Sequence, residues 1–330
     1  MSPGTTIQDE GRPGYQRSGV TRGGAMDRYA LAEGQALLGN GRAAAALEFA
    51  GMGGRFRCNS TLAISTSGAE MPLKVDGKRR KWRTSLLLEA GQELVVGHCL
   101  SGVYGYLHMQ GGIDCAPVLG SRSSHIMAGI GWIPRADECL CPRAAGASGM
   151  GKSLPTPAYF GERKVRILRG PQTKLFSPHD VAALTETTFS ISWSRNRIGA
   201  RLDSEGHPIS ADVGVKLVSA PIVAGDLQVS ANGKITALLA DCQPMGGYPR
   251  IATIVSADLH KFVQLQSGAE FKLAWSTLDE ALEARRSLRA EILRLAQRAG
   301  PAQPQSLSSE SLLCHSLISG VVKGDEDEID

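Results

Sequence analysis

Residues 62–109 read LAISTSGAEMPLKVDGKRRKWRTSLLLEAGQELVVGHCLSGVYGYLHM. Short apolar runs at 62–66, 72–75, 93–96 and 103–109 are interrupted by Gly, Pro or clustered charges. Runs this short do not sustain helices on their own, whereas they match strands with one face buried. Asp76-Gly77 separates two of the extended segments, and a two-residue loop with positive φ at both positions suits Asp-Gly. The basic cluster Lys78-Arg79-Arg80-Lys81 then falls on a solvated hairpin tip rather than on a nucleic-acid or phosphate surface. Strands at this spacing with Gly-rich turns predict a barrel or a sandwich.

Working outward, another strand is expected at 46–49, preceded by a helix that Asp27 caps and that runs through Leu31, Leu37 and Leu38 to Gly39-Asn40. Residues 142–160 carry Pro142, Gly146, Gly149, Gly151, Pro155 and Pro157, and a domain boundary is placed there. Strands resume at 165–168, 189–193, 215–218, 227–229, 235–240 and 271–275, with Asn232-Gly233 as a second hairpin signal and a short helix at 258–265. Thr277 followed by Glu280 is a capping box. The apolar positions Leu282, Leu288, Ile292 and Leu295 give the following helix a stripe expected to pack on its own chain, and Gly300-Pro301 stops it. The expected units are 1–150, 151–276 and a helix with a loose acidic tail at 277–330.

The composition excludes several classes. With 330 residues, 42% hydrophobic and 21% charged, the chain has the make-up of a globular protein, and its net charge of +4 is too small and scattered for a nucleic-acid binder. No signal peptide fits the N-terminus and no apolar run approaches membrane length, so a soluble cytoplasmic protein is expected. Seven cysteines lack a paired framework; Cys139-Leu-Cys141 is the close pair, and nothing supplies the further ligands of a zinc site, so no metal is expected.

Three strings could carry chemistry. Gly146-Ala-Ser-Gly-Met-Gly151-Lys152-Ser153 matches a phosphate-binding loop letter for letter. Such a loop needs a following helix, and Leu154-Pro155-Thr-Pro157 forbids one, so a glycine-rich linker is expected. Thr5 to Tyr15 sets Asp9 and Arg12 among glycines and a proline, as a loop that brings backbone close to a ligand or as a turn with a salt bridge. Asp241-Cys-Gln243-Pro-Met-Gly-Gly-Tyr248 follows an apolar strand. With Gln228 nearby, its amides and phenol suit a small polar amide or lactam. The histidines form no cluster, and no nucleophile elbow is present.

Taken together, TTIQDEGRPGYQ, GGAMDR, LLGN, ALEF, GGID, VLGSRS, DLQV and ADCQPMGGYPRIATIVSADL resemble, in order over 5–275, the family of allophanate hydrolase subunit 2 and the 5-oxoprolinase C subunit, whose domain also occurs in urea carboxylases. The resemblance implies a mainly β fold: two tandem cyclophilin-like β-barrel subdomains with few short helices and a C-terminal helix. It implies a B-type partner, with an A-type one, in ATP-dependent opening of 5-oxoproline to glutamate. Under it Asp9, Arg12 and Asp27 would be catalytic. Arg122 and Arg197 would hold anionic groups, and Gln228, Gln243 and Tyr248 the lactam or ureido group. The chain departs from the family pattern at Asn196, Asp226 and Pro244-Met245, the last pair replacing two hydroxyl donors beside Gln243. The same resemblance allows a biotin-dependent carboxyltransferase component, with biotin carried on another protein. It also allows a regulatory protein that antagonises a kinase inhibitor homologous to the B-type partner.

Overall fold

The computed structural model describes residues 4–144, 150–205, 209–210 and 217–302. In the first half an antiparallel five-stranded sheet runs in the order Thr6–Gln8, Ala46–Ala50, Ser101–Met109, Leu62–Glu70 and Ser85–Leu88. A four-stranded sheet, Arg55–Arg57, Glu93–Val96, Leu73–Val75 and Lys78–Arg80, covers one side of it. Ile7, Leu47, Phe49, Ile64 and Leu107 of the larger sheet meet Leu73, Val75, Leu94 and Val96 of the smaller one in one apolar core. The alternation of the opening stretch creates this core, because every second residue of a strand faces the same side. Asp76 and Gly77 both adopt positive φ, as the Asp-Gly hairpin requires.

The helix α1 (Arg28–Leu38) lies on the other side of the larger sheet. Asp27 caps it by accepting from Ala30 N–H, and Gly39 ends it in the left-handed conformation. Ser65 and Ser67 donate to the carbonyls of Gly34 and Ala30 at 2.8 and 2.7 Å. A side chain at Gly34 would collide with His108, so that glycine sets the closeness of helix and sheet.

The second half closes into a seven-stranded barrel ordered Lys164–Arg169, Arg250–Ile254, Asp226–Val229, Ile235–Leu238, Gly199–Asp203, Thr188–Arg195 and Glu270–Trp275. Closure comes from parallel pairing of Lys164–Arg169 with Glu270–Trp275, which leaves the barrel no open edge. Val165, Ile167, Phe189, Ile191, Leu227, Phe271 and Leu273 fill the interior, and the same core continues into Ala46, Tyr104 and Tyr106 of the first half. The mainly β architecture with few helices is thus as expected. Sequence reading missed the strands Gly199–Asp203 and Arg250–Ile254 and the helix α2 (Pro178–Glu186). The expected strand at 215–218 lies partly outside the described residues, and its described part, Leu217 and Val218, is irregular.

Two further helices tie the halves together. α3 (Leu259–Gln264) places Gln264 so that its oxygen accepts from the N–H groups of Val103 and Tyr104, while its nitrogen donates to Tyr104 O and Asp27. α4 (Leu278–Arg298) begins with the capping box Thr277–Glu280. Leu288, Ile292 and Leu295 pack with Tyr29, Leu37, Leu154 and Tyr159, so the stripe is used within the chain. Leu282 departs from expectation: it stays 39% exposed, and Ala281 is the buried residue of that turn. Among the described residues, no helix is long and apolar enough to cross a membrane.

Candidate functional site

The first half contributes the irregular segment after strand Thr6–Gln8. Asp9 is 5% exposed at its start. Its Oδ1 accepts from Gly11 N–H at 2.8 Å and Ser121 Oγ at 2.6 Å, and also from Ser123 Oγ. Oδ2 accepts from Arg122 N–H at 2.6 Å. One carboxylate therefore fixes the Ser121-Arg122-Ser123 loop against the N-terminal segment, which explains how a charge can be buried there.

Arg12 is 1% exposed. Its Nη2 donates to Ser123 O, while Nε and Nη1 are buried without a hydrogen-bond partner. Burial weakens its hold on the proton, with Asp9 and Asp241 acting in the opposite direction. Arg12 Nη1, Asp241 Oδ1 and His125 all border Gly23, where a Cβ would lie 3.4, 3.3 and 3.7 Å from their nearest atoms. His125 Nδ1 accepts from Ala128 N–H at 3.3 Å, which puts the ring proton on Nε2, 3.0 Å from Thr21 Oγ1.

The second half supplies Arg197, from the turn before strand Gly199–Asp203, and Asp241, just beyond strand Ile235–Leu238. Arg197 Nε and Nη2 meet Asp241 at 2.7 and 2.9 Å, Nη2 also donates to Gly24 O at 2.7 Å, and Nη1 pairs with Glu48. Glu48 in turn accepts from Met26 N–H at 2.8 Å and Tyr106 Oη at 2.7 Å. Burial pushes the Glu48 pKa up against the pull of Arg197, and the two carboxylates hold the Arg197 proton more tightly despite its burial. The anionic groups that Arg197 holds are therefore the chain's own, one from each half.

Asp27 has the same character. It is fully buried: Oδ1 caps α1, and Oδ2 accepts from Tyr159 Oη and Gln264 Nε2, both at 2.8 Å. Helix capping and attachment of the second half use both of its oxygens.

The amide and phenol cluster is placed more openly. Gln228 is 7% exposed, and its Nε2 has no partner and lies where a side chain on Gly246 would have to go. Gln243 and Tyr248 are exposed on the loop after Asp241. Gln16 joins this loop to the N-terminal segment by donating to Ile222 O at 2.7 Å and Pro244 O at 3.1 Å. Met245-Gly246 pairs with Ala220-Pro221, so the Pro244-Met245 corner is built into a short ladder.

Four of the residues singled out in the sequence carry buried polar atoms without a partner: Gln8 Oε1, Arg12 Nε and Nη1, Arg122 Nε and Gln228 Nε2. Orphaned buried polar groups cost stability, and where they are arginine and amide nitrogens they suit an anionic or carbonyl-bearing ligand. His125 escaped sequence reading because it is isolated in the chain. The dense polar run Ser121-Arg-Ser-Ser-His125 was the available signal.

The phosphate-loop string does not fit a nucleotide. Its residues 146–149 lie outside the described ones, and Lys152-Ser153 forms a two-residue strand paired with Gly300-Pro301 instead of opening a helix. Among the described residues, no group of three or more His, Cys, Asp or Glu side chains is arranged to hold a metal.

Comparison with known proteins bears on the family and the fold. The 5-oxoprolinase C subunit of Escherichia coli (strain K12) is 31% identical over 299 residues, covering 89% of this chain and 95% of that protein. The Haemophilus influenzae protein of the same name is 30% identical, over 85% of this chain and 91% of its own length. Among solved structures, TTHA0988 superposes with a TM-score of 0.75 at 28% identity, and the chain covers 54% of its length. Kluyveromyces lactis urea carboxylase shares the fold, with a TM-score of 0.80 at 22% identity over 94% of this chain and 29% of its own. The family profile described as carboxyltransferase domain, subdomain A and B, matches residues 18–275, and the chain belongs to that family, together with the C-type subunits of 5-oxoprolinase.

Proposed function

We propose that this chain is the C-type subunit of an ATP-dependent 5-oxoprolinase, acting with B-type and A-type partners to open 5-oxoproline to glutamate. The observation that carries this reading is the set of buried, unpartnered nitrogens on Arg12, Arg122 and Gln228 around a polar loop cluster. Arg12 and Arg122 would receive the substrate carboxylate by charge-assisted hydrogen bonds. Gln228, Gln243 and Tyr248 would hold the lactam amide, which needs both donors and acceptors. Asp9 orients the Arg122 loop by accepting from its backbone N–H, while Arg197, through Glu48 and Gly24, and Asp27, through Gln264, hold the two halves in register. ATP would be used by the assembled complex, and not through the Lys152-Ser153 string, which is strand and lacks the helix start that a phosphate-binding loop needs.

A companion chain is supported by the surface around these loops. Val118, Leu119, Ile126 and Met127 on one side, and Val218, Val223, Met245 and Tyr248 on the other, are all at least 38% exposed. Apolar side chains gathered on loops next to a buried polar site suit coverage by another protein.

A second reading, carboxyl transfer from a biotin-bearing partner, is favoured by the family description and by relatives named urea amidolyase, one of them 26% identical over 94% of this chain and 18% of its own length. Biotin would be brought by that partner. One experiment separates the two. The chain is co-expressed with its A-type and B-type companions, and glutamate release from 5-oxoproline is measured with and without ATP. Glutamate formation that Arg12→Lys suppresses, with the complex intact, supports the first reading. An intact complex that forms no glutamate but carboxylates urea in the presence of a biotinylated carrier replaces it with the second.

A further inference from the structure

Cys139-Leu140-Cys141 takes no part in the site above. Leu140 packs into the core of the first half, and the cysteines on either side of it are exposed. With Leu140 packed inward, the thiols on either side of it line the same cleft. Cys139 lies close enough to make Cys141 hold its proton more tightly than a free cysteine.

The loop is held at both ends. Cys141 O accepts from Asp114 N–H at 2.8 Å, Pro142 bridges to Ile113, and Arg143 N–H donates to Gly112 O at 2.8 Å. On the other side, the Glu138 carboxylate accepts from Trp132 Nε1 at 3.0 Å and Arg135 N–H at 2.8 Å. A cleft of about 600 Å³ runs beside the pair, lined by both cysteines together with Arg57, Asp137, Glu138 and the ion pair Arg55–Glu93. Two exposed thiols one residue apart, held by an anchored loop beside a cleft that presents both guanidinium and carboxylate groups, are equipped to meet a small disulfide that itself carries both carboxylates and ammonium groups.

We propose that Cys139 and Cys141 form a reversible thiol–disulfide exchange site for a low-molecular-weight disulfide of the oxidised glutathione type. The thiolate of one cysteine attacks a sulfur of the small disulfide, forming a mixed disulfide and releasing one small thiolate. The second cysteine, deprotonated, attacks the protein sulfur of the mixed disulfide and releases the second small thiolate. The protein loses two electrons and two protons and gains one S–S bond, and the small disulfide is reduced to two thiols. A ring closed across a single intervening residue is strained and exposed, so it belongs with the readily reduced, labile disulfides rather than with structural ones.

The test uses the full-length chain, equilibrated at graded ratios of oxidised to reduced glutathione, quenched with acid and mapped by peptide mass. The expected result is a peptide containing both cysteines that loses two hydrogens, carries no glutathione, and is restored by excess reduced glutathione. Cys139→Ser and Cys141→Ser should each stop at a single glutathione adduct on the remaining sulfur. Stable glutathione adducts on both cysteines of the unmodified sequence would overturn the proposal. So would preferential reaction of Cys99 or Cys115 while the pair stays reduced.

Discussion

Arg197 and Glu48, 149 positions apart in the chain, form a buried ion pair that joins the seven-stranded barrel to the five-stranded sheet. With Asp241 on its other side, Arg197 lies between two carboxylates, and all three side chains are nearly excluded from solvent. Removing one member of such a set leaves the other charges unpaired in a medium that solvates them poorly. Arg197→Ala is therefore expected to lower stability by about 3–5 kcal/mol, read as a drop in the urea midpoint. Combining Arg197→Met with Glu48→Gln and Asp241→Asn should recover part of the loss, because no charge is then stranded.

Arg12 stands in contrast, since two of its nitrogens are unpartnered. Arg12→Lys retains a cation able to reach Ser123 O but removes the planar array of donors. If those donors meet the substrate, kcat/KM for ATP-dependent glutamate formation should fall by about 1.5–3 kcal/mol, roughly 10- to 150-fold. The urea midpoint should move little. An equal loss of stability and activity would instead make Arg12 a structural residue.

Glu33, buried against Arg83, has its pKa pushed up to about 7 because burial outweighs the pull of the guanidinium. The folded chain thus binds this proton more tightly than the unfolded chain, whose carboxyl titrates near 4.5. The resulting stabilisation is full below the unfolded value and disappears as pH rises through about 7, a change on the order of 3 kcal/mol. Urea unfolding from pH 4.5 to 7.5 should show stability falling across that window from this group. Glu33→Gln, the neutral isostere of the protonated acid, should flatten the slope.

Gly246 leaves room for the Gln228 amide, because a Cβ there would lie 2.6 Å from Gln228 Nε2. Gly246→Ala should displace that amide and raise KM for the lactam while changing the thermal midpoint only slightly. A variant with unchanged KM would remove Gln228 from the substrate site.

Lys152 tests the nucleotide-like string directly. Its backbone N–H donates to Ser85 Oγ at 3.0 Å within a short strand, so Lys152→Ala should leave the KM for ATP of the assembled complex unaltered. An increase of tenfold or more would return that string to consideration.

Local features were the most legible part of the chain. Asp27 and Gly39 bound α1, Thr277 and Glu280 open α4, and Asp76-Gly77 makes the tight hairpin, because each is decided by backbone sterics and hydrogen bonds within a few residues. The strand Arg250–Ile254 was not legible. It reads as the tail of a glycine- and proline-rich loop, and its place between Lys164–Arg169 and Asp226–Val229 comes from barrel closure. The candidate site divides along the same line. Gln8, Asp9, Arg12, Arg122, Arg197 and Gln228 all stand out by type and context, but their type does not distinguish a paired arginine from one with free donors.

The sequence by itself therefore determined the caps, the hairpins, the strand-rich class and the polar strings worth attention, since these depend on short-range sterics and on alternation. Only the tertiary structure decided that Arg197 is committed to Glu48 and Asp241, that Asp27 anchors the second half through Tyr159 and Gln264, and that Arg12 keeps two nitrogens free. The physical reason is that the state of a buried charge is set by whatever partners folding brings to it. Here, apart from Asp241 at 44 positions from Arg197, those partners come from segments more than 100 residues away in the chain.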